Sequence, residues 1–451
     1  MTQLALQVDG PVFTADTPGY RDEIAGFRTG TRREPDLVVG ATSAADVSAA
    51  VRHAAAHDLP VGVQGSGHVL TTLTGGVLVT TSRLADVRVD ADARTARFEA
   101  GAVWSDIAGR TVPMGLAPLS GSAPRVCAMS YLLGGGIGLM VRKYGFAADH
   151  VRALDVVTAD GGIRHVTESD DGDLFWALRG GRDNFGIVTA AEIDLVPEPT
   201  IYGGGLFFDA TRYAERALTL WRQWTADQPL AMSGSLAMVP FPDAPTLPEP
   251  LRGKHVVHIR IAYAGNPADG ERLTEPLREI GPRLIDHVHD MPYTESGSIS
   301  EHPTDPMPYH GSGAMITDID EDFLHTLLDQ AGPGGEHRLI VELRHLGGAA
   351  ARPARVPNSV GHRDARFACG LLSRLGPVDA ETAEQSHAQL MTALRPWTAG
   401  LCLNFTHGMC TADEISTAYD VAAYRRLTEL KARYDPQNMF RLNYNIPPAT
   451  C

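Results

Sequence analysis

The sequence predicts an α+β protein of two domains, on three observations. The chain has 451 residues, more than a single hydrophobic core ordinarily serves. Up to about residue 200, short apolar runs alternate with glycine-punctuated loops, the pattern of short strands. From about 201 to 400, amphipathic helical stretches sit between strands, as in a sheet with helices on one face.

Taken in order, Ser43 precedes Val47, Ala50, Val51 and Ala54 at helical spacing, which predicts an N-capped helix to about His57. Pro60 stops it. Residues 60–64 (PVGVQ), 75–84 (GGVLVTTSRL) and 94–103 (RTARFEAGAV) then read as strands, the third ending at Gly101. Residues 173–179 form an amphipathic helix that ends at Arg179 with Gly180-Gly181 as its C-cap, and a strand follows from Phe185 to Asp194. In the middle of the chain, helices are expected over 210–228, 320–330 and 380–394. Strands such as HVVHIRIAYAG and HRLIVELRHLGG lie between them, and a proline-rich loop (PFPDAPTLPEPLRG) interrupts the series. A last helix within 417–435 stops at Asp435-Pro436. There is no internal repeat.

Composition excludes several classes of function. Lys plus Arg number 39 and Asp plus Glu 54, a net charge of −15, which opposes binding to a phosphate backbone. The five cysteines, Cys127, Cys369, Cys402, Cys410 and Cys451, are odd in number, irregularly spaced and without a Cys-x-x-Cys pair. Neither a disulfide framework nor a structural zinc site is expected. The 17 histidines, among them His287, His289, His302 and His310, lack carboxylates at ligand spacing, so no metal is expected. The N-terminal MTQLALQVDGPVF has no basic region ahead of an apolar stretch, and no apolar run approaches the ~18 residues of a membrane span. The expectation is a soluble, cytoplasmic protein that meets small molecules rather than nucleic acid or membrane.

Four segments carry the chemistry. In VGVQGSGHVL a strand runs into Gly65-Ser66-Gly67-His68, small residues that let backbone N–H groups approach a diphosphate. Position 70 is Leu and no long helix follows, which disfavours a Rossmann fingerprint, and the Gly-Lys pair of a Walker loop is missing. Alone, the loop is also compatible with a tight turn bearing a surface histidine. The second segment, residues 121–151, contains Gly134, Gly135, Gly136 and Gly138, where backbone contact with a ligand can be very close. Read plainly, it is a glycine-rich connector whose Arg142 and Lys143 are solvated charge. The third is DLFWALRGGRDNFGIVTAAEIDLVP and the fourth YDPQNMFRLNYNIPP.

In that order the segments resemble the berberine-bridge-enzyme-like branch of the vanillyl-alcohol-oxidase flavoproteins, over nearly the whole chain. The resemblance implies a PCMH-type FAD-binding fold. A flavin domain of residues 1–198, joined by 405–451, would pack against a substrate domain of residues 199–404, an antiparallel sheet covered by helices. It implies FAD bonded through His68, and cofactor contacts at Gln64, Gly65, Ser66, Gly67, Val69, Gly121, Ser122, Val126, Cys127, Gly134, Gly135, Gly136, Gly138, Asn184, Gly186, Val188, Asn443 and Asn445. Histidine attachment prevents loss of the cofactor and withdraws electron density from the ring, which favours hydride acceptance.

The chain departs from the family pattern in several places, among them Ser66 for the middle glycine of the loop and Cys127 where relatives usually carry glycine. Gln64 and Val69 stand where relatives carry Arg and Ser, so one cationic contact is missing. Ala123 stands where many carry a second FAD-linking cysteine, so attachment through His68 alone is expected, with Cys127 a small buried residue near the flavin. Val126 fills a position that in the family flanks the face where oxygen arrives, as in oxidases. Cys402, two residues before Asn404, replaces the usual tyrosine base, and both are expected to line the substrate pocket.

In IVELRHLGG, period two puts Glu342 and Arg344 on one face and Leu343 and His345 on the other. The resemblance favours Glu342 as the proton acceptor, with His345 second; pairing of Glu342 with a neighbouring cation is the plain alternative. The expected activity is an FAD-dependent oxidase. It takes hydride from a small or medium hydrophobic metabolite, passes electrons to O2 and serves a tailoring step of secondary metabolism. An oxygenating or cyclising flavoprotein and a ligand-sequestering flavoprotein are the rivals.

Overall fold

The computed structural model describes residues 7–69, 72–408 and 410–449; Cys451 and the first six residues lie outside them. The predicted helices are present at Ala44–Ala56, Ala210–Ala226, Glu321–Ala331 and Ala380–Ala393. Ser43, Asp209, Asp320 and Asp379 cap them, each side chain accepting a backbone N–H of the first turn. The last helix begins later than its pattern suggests, at Val421, and runs to Tyr434; residues 412–416 form a short helix of their own.

Among the described residues the N-terminal part holds two small sheets and a separate two-stranded parallel pair, Arg33–Glu34 with Leu73–Thr74. In one, Leu37–Gly40, Val77–Thr80 and Val61–Gln64 are parallel neighbours, with Ala44–Ala56 as the crossover helix, so Val61–Gln64 delivers its C-terminal end to the 65–69 loop. The other is antiparallel and contains Thr95–Glu99, Val151–Val157 and Ile187–Asp194. The predicted start of the last strand at Phe185 is two residues early, because Arg182–Asn184 make a tight turn and Gly186 takes φ 153.

The large sheet runs Thr200–Asp209, His255–Tyr263, Met232–Pro240, Ile340–His345, Phe367–Arg374 and Met307–Ile316. It is antiparallel except at Arg28–Thr29, which joins Met307–Ile316 in parallel. Helices cover one face, where Leu236, Ile259, Leu343 and Leu371 pack with Trp221, Phe323 and Leu390. The other face meets the N-terminal part. Arg142, read from sequence as solvated charge, is buried in this contact. It donates to the carbonyls of Gln228, Met232 and Leu346 at 2.9, 2.8 and 2.6 Å, so the charge serves as a multiple backbone donor that seats the sheet.

Candidate active site

The principal cleft encloses about 880 Å³ of space open to solvent. Its wall begins with the whole of Gln64–Val69 and continues through Cys127, Val188 and Asn443, so these nine sequence-predicted residues converge. The loop owes its form to two anchors. The carbonyls of Ser66 and Gly67 accept the N–H groups of Phe27 and Arg28 at 3.1 and 2.9 Å. Because each peptide is planar and trans, the N–H groups of Gly67 and His68 must then point away from Phe27–Arg28. Gly67 has φ 71, and a Cβ there would sit 2.5 Å from the Gly26 Cα, so glycine is required twice over.

His68 is held on three sides. Its ring stacks on Phe27 with centroids 4.0 Å apart, its carbonyl accepts from the Tyr309 hydroxyl at 2.6 Å, and its Nδ1 lies 2.9 Å from Ser66 Oγ. Ser66 Oγ in turn accepts the Cys127 N–H at 2.9 Å. Burial, with a smaller push from Arg125, lowers the His68 pKa to about 4, so the ring is neutral near pH 7 and keeps a lone pair for bonding. The Cys127 thiol is buried, directed at Ala100 O (3.1 Å) and packed against Gly65.

The other predicted contacts are distributed differently. Asn184 is fully engaged: its amide donates to Gly181 O and Tyr444 O, and its carbonyl accepts from Ile446 N. It thereby pins the C-terminal tail behind the cleft. Asn445 Oδ1 is buried without a partner. Gly186 packs against the Val157 carbonyl, and Gly121 and Gly136 against the Tyr131 ring. Gly135 bends the chain at φ 102, and Val126 packs against the N-terminal core. Ser122 and Gly138 line a second cavity of about 370 Å³ with Ser233, Arg260, Arg344 and His345. Gly134, Cys402 and Asn404 line a third of about 360 Å³, which shares Ile137 with the second. Asn404 locks the glycine turn there, accepting from Gly136 N at 3.1 Å and donating to Tyr131 O at 3.2 Å. Burial raises the Cys402 thiol to about 12, so it stays protonated.

Arg260 and Arg344 put charge on the wall of the second cavity; Glu342, which pairs with both, stands behind them and is not itself among the lining residues. Glu342 lies between Arg260 (Nη1, 2.6 Å) and Arg344 (Nε, 3.0 Å), and Arg344 Nη2 reaches Ser122 Oγ at 2.8 Å. Burial opposes ionisation of Glu342, but Arg344 and Arg260 outweigh it and hold the carboxyl far below the usual range. Ser122 Oγ is also 3.0 Å from His302 Nε2, whose pKa burial and Arg260 push down to about 3. His345, the last residue of the strand, lines the second cavity with Arg344. Its Nε2 is 2.6 Å from Arg142, its ring stacks on Phe367, and burial and Arg142 push it to about 3. Among the described residues no group of three or more His, Cys, Asp or Glu is disposed to hold a metal ion, and no helix is long and apolar enough to cross a membrane.

Sequence reasoning missed Arg33, Thr81, Ser130, Arg182, Asp183 and Tyr444 on the wall of the main cleft. Ser130, Arg182, Asp183 and Tyr444 lie within the four chemistry-bearing segments, whereas Arg33 and Thr81 lie outside them. Arg33 Nε and Asn443 Oδ1, both on that wall, are buried without protein partners. Unpartnered polar atoms beside a loop with diverted N–H groups fit an elongated, phosphate-bearing cofactor such as FAD. Gln64–Val69, Cys127, Val188 and Asn443 are the residues that would hold it, and bound FAD supplies hydride acceptance.

Comparison with known proteins agrees. A family model described as FAD binding domain matches residues 35–167, and one described as berberine and berberine like matches residues 404–447. (R)-6-hydroxynicotine oxidase of Paenarthrobacter nicotinovorans is 28% identical across 98% of this chain and 98% of its own. Chitooligosaccharide oxidase of Gibberella zeae is 22% identical across 98% and 93%. Among solved structures, 6-hydroxy-D-nicotine oxidase of Arthrobacter nicotinovorans matches with TM-score 0.84 and 25% identity over the full length of both chains. Xylooligosaccharide oxidase of Myceliophthora thermophila shares the fold, with TM-score 0.86 and 20% identity over 99% of each. A segment matching the FAD binding domain, a berberine-like tail that returns to the same cleft and the fold common to these oxidases together give this chain the domain matches and the fold of the berberine-bridge-enzyme-like, FAD-linked oxidoreductases.

Proposed function

We propose that the protein is an FAD-dependent oxidase of a small or medium-sized hydrophobic metabolite with one polar group, and that O2 takes the electrons. The supporting observation is the second cavity, whose lining combines the apolar Ile137, Leu139, Val141 and Ile299 with the polar Ser122, Arg260 and Arg344. An apolar body with a polar end suits such a lining. FAD is attached through His68 alone in this reading, since Ala123 has no sulfur and the Cys127 thiol is turned to Ala100. The named activities of the relatives, on hydroxynicotine and on oligosaccharides, support oxidation of a carbon that bears nitrogen or oxygen.

Glu342 is the proton acceptor in this proposal. Arg344 and Arg260 favour its ionised form against burial, which leaves it ready but weakly basic. A polar substrate group that engages Arg344 draws off one guanidinium and restores basicity. A tailoring step of secondary metabolism, carried out in the cytoplasm, is the setting proposed.

Anaerobic mixing with candidate metabolites tests the reading. The expected result is loss of the oxidised flavin band, once per substrate, and recovery with hydrogen peroxide formation when air is admitted. Product formation with the band unchanged would replace the oxidase with a cyclase, and tight binding with neither would leave a ligand-sequestering protein.

A further inference from the structure

The loop that approaches the diphosphate carries Gln64 where the family pattern has an arginine. The cleft wall nevertheless contains a guanidinium near that point, from a different part of the chain. Arg33 lies on the two-residue strand Arg33–Glu34, which pairs in parallel with Leu73–Thr74. It shares the wall with the entire Gln64–Val69 loop. Its Nη1 donates to Ile24 O at 2.7 Å and to the Gln64 side-chain carbonyl, while the Gln64 amide donates to Ala25 O at 2.7 Å. Gln64 therefore does more than leave a gap: buried itself, it clamps an arginine delivered from elsewhere.

The clamp engages only one corner of the guanidinium. Arg33 Nε, on the opposite edge, is buried without a hydrogen-bond partner. Glu34, next in sequence, is committed to Arg32 at 2.8 Å and faces solvent. Burial lowers the Arg33 pKa to about 10, with Tyr20 opposing it. A cation largely withdrawn from water, without a carboxylate partner among the described residues and with a donor edge unspent, is unfavourable unless an anion completes it. The second arginine of the wall is occupied otherwise: Arg182 donates to Leu403 O at 3.2 Å and lies over the Tyr444 ring.

From this juxtaposition we infer that Arg33 is the diphosphate-binding cation of the cleft, contributed by the 33–34 strand and oriented by Gln64 in place of the missing loop arginine. The inference rests on the reading of the cleft as the FAD site. A guanidinium edge beside a loop with diverted N–H groups suits the paired oxygens of a diphosphate.

The test uses the flavin-depleted, full-length His68→Ala chain, in which uptake is reversible. It is titrated with FAD and separately with riboflavin, which lacks phosphate, with and without Arg33→Met, and circular dichroism monitors folding. Arg33→Met is expected to weaken FAD binding roughly 10- to 100-fold, the scale of a lost charge-assisted hydrogen bond, and to leave riboflavin binding unchanged. Arg33→Lys should recover part of the loss. If Arg33→Met does not fold, Arg33→Gln, which keeps amide donors for Ile24 and Gln64, carries the same two titrations. Equal losses for FAD and riboflavin, or no loss for either, would overturn the role of Arg33 and leave the FAD site standing. A folded His68→Ala chain that takes up neither flavin would overturn the FAD site and this inference with it.

Discussion

At the scale of single residues, two side chains carry the sharpest expectations. His68 is neutral, stacked and hydrogen-bonded at the lip of the cleft. Acid-precipitated wild-type protein should stay yellow, whereas His68→Ala should give a colourless pellet. A digest should yield flavin on the His68 peptide alone, and a crosslink to the Cys127 peptide would refute single attachment. Glu342 distinguishes two roles. As proton acceptor, Glu342→Gln should keep flavin and slow anaerobic flavin reduction by ~10²-fold or more. As purely the partner of Arg260 and Arg344, the same change should lower the unfolding midpoint and leave reduction near normal, because two buried guanidiniums lose their shared carboxylate.

At the scale of elements, the last helix and the tail behind it depend on one buried ion pair. Lys431 and Asp435 have fully buried side chains 2.7 Å apart. Lys431 also donates to Asn184 O and Phe440 O, and Asp435 accepts from Met439 N and Phe440 N. This network turns the chain at Pro436 and returns Leu442–Tyr444 to the cleft. Lys431→Met should cost about 3–5 kcal/mol, since it leaves a carboxylate buried with only backbone donors. Chemical denaturation measures the loss, and flavin content should fall with it because the tail supplies part of the wall. The helix was legible in sequence from its spacing and its proline stop. The partnership with Asn184 was not, because the two positions are 247 residues apart.

For the whole molecule, the pH response follows from its buried histidines. Burial holds His68 at about 4 and His302, His345, His387 and His407 at about 3. In the unfolded chain each titrates near 6.5. Between pH 6.5 and about 3 the unfolded state therefore binds more protons, so stability falls as pH is lowered through that window. His150, where Asp194 outweighs burial, runs the other way. Once His68 carries flavin it drops out of the sum. The unfolding midpoint should decline by several degrees, roughly, between pH 7 and pH 5; a midpoint that is flat or rising over that interval would contradict the burial of these rings.

The sequence by itself determined the fold class, the capped helices and the Gly65–His68 loop. These are local: they depend on spacing of apolar residues, on cap chemistry and on glycines where the backbone must bend. It also determined that Glu342 and Arg344 share a face, since that follows from strand period alone. Only the tertiary structure decided what those residues meet. The strands Thr200–Asp209 and Met307–Ile316 carry glycines that weaken a strand signal, and the reason lies across the sheet. A Cβ at Gly205 would be 2.4 Å from the His258 ring, and one at Gly311 would be 2.5 Å from His407. Asn184 matched a motif, yet its side chain is spent on Gly181 and the tail. Arg33 matched none, yet it stands in the cleft. A side chain's partners are set by which distant segments the packed core brings beside it, and in this chain those segments are 9 residues away for Ile24 and 31 for Gln64, separations that no local period encodes.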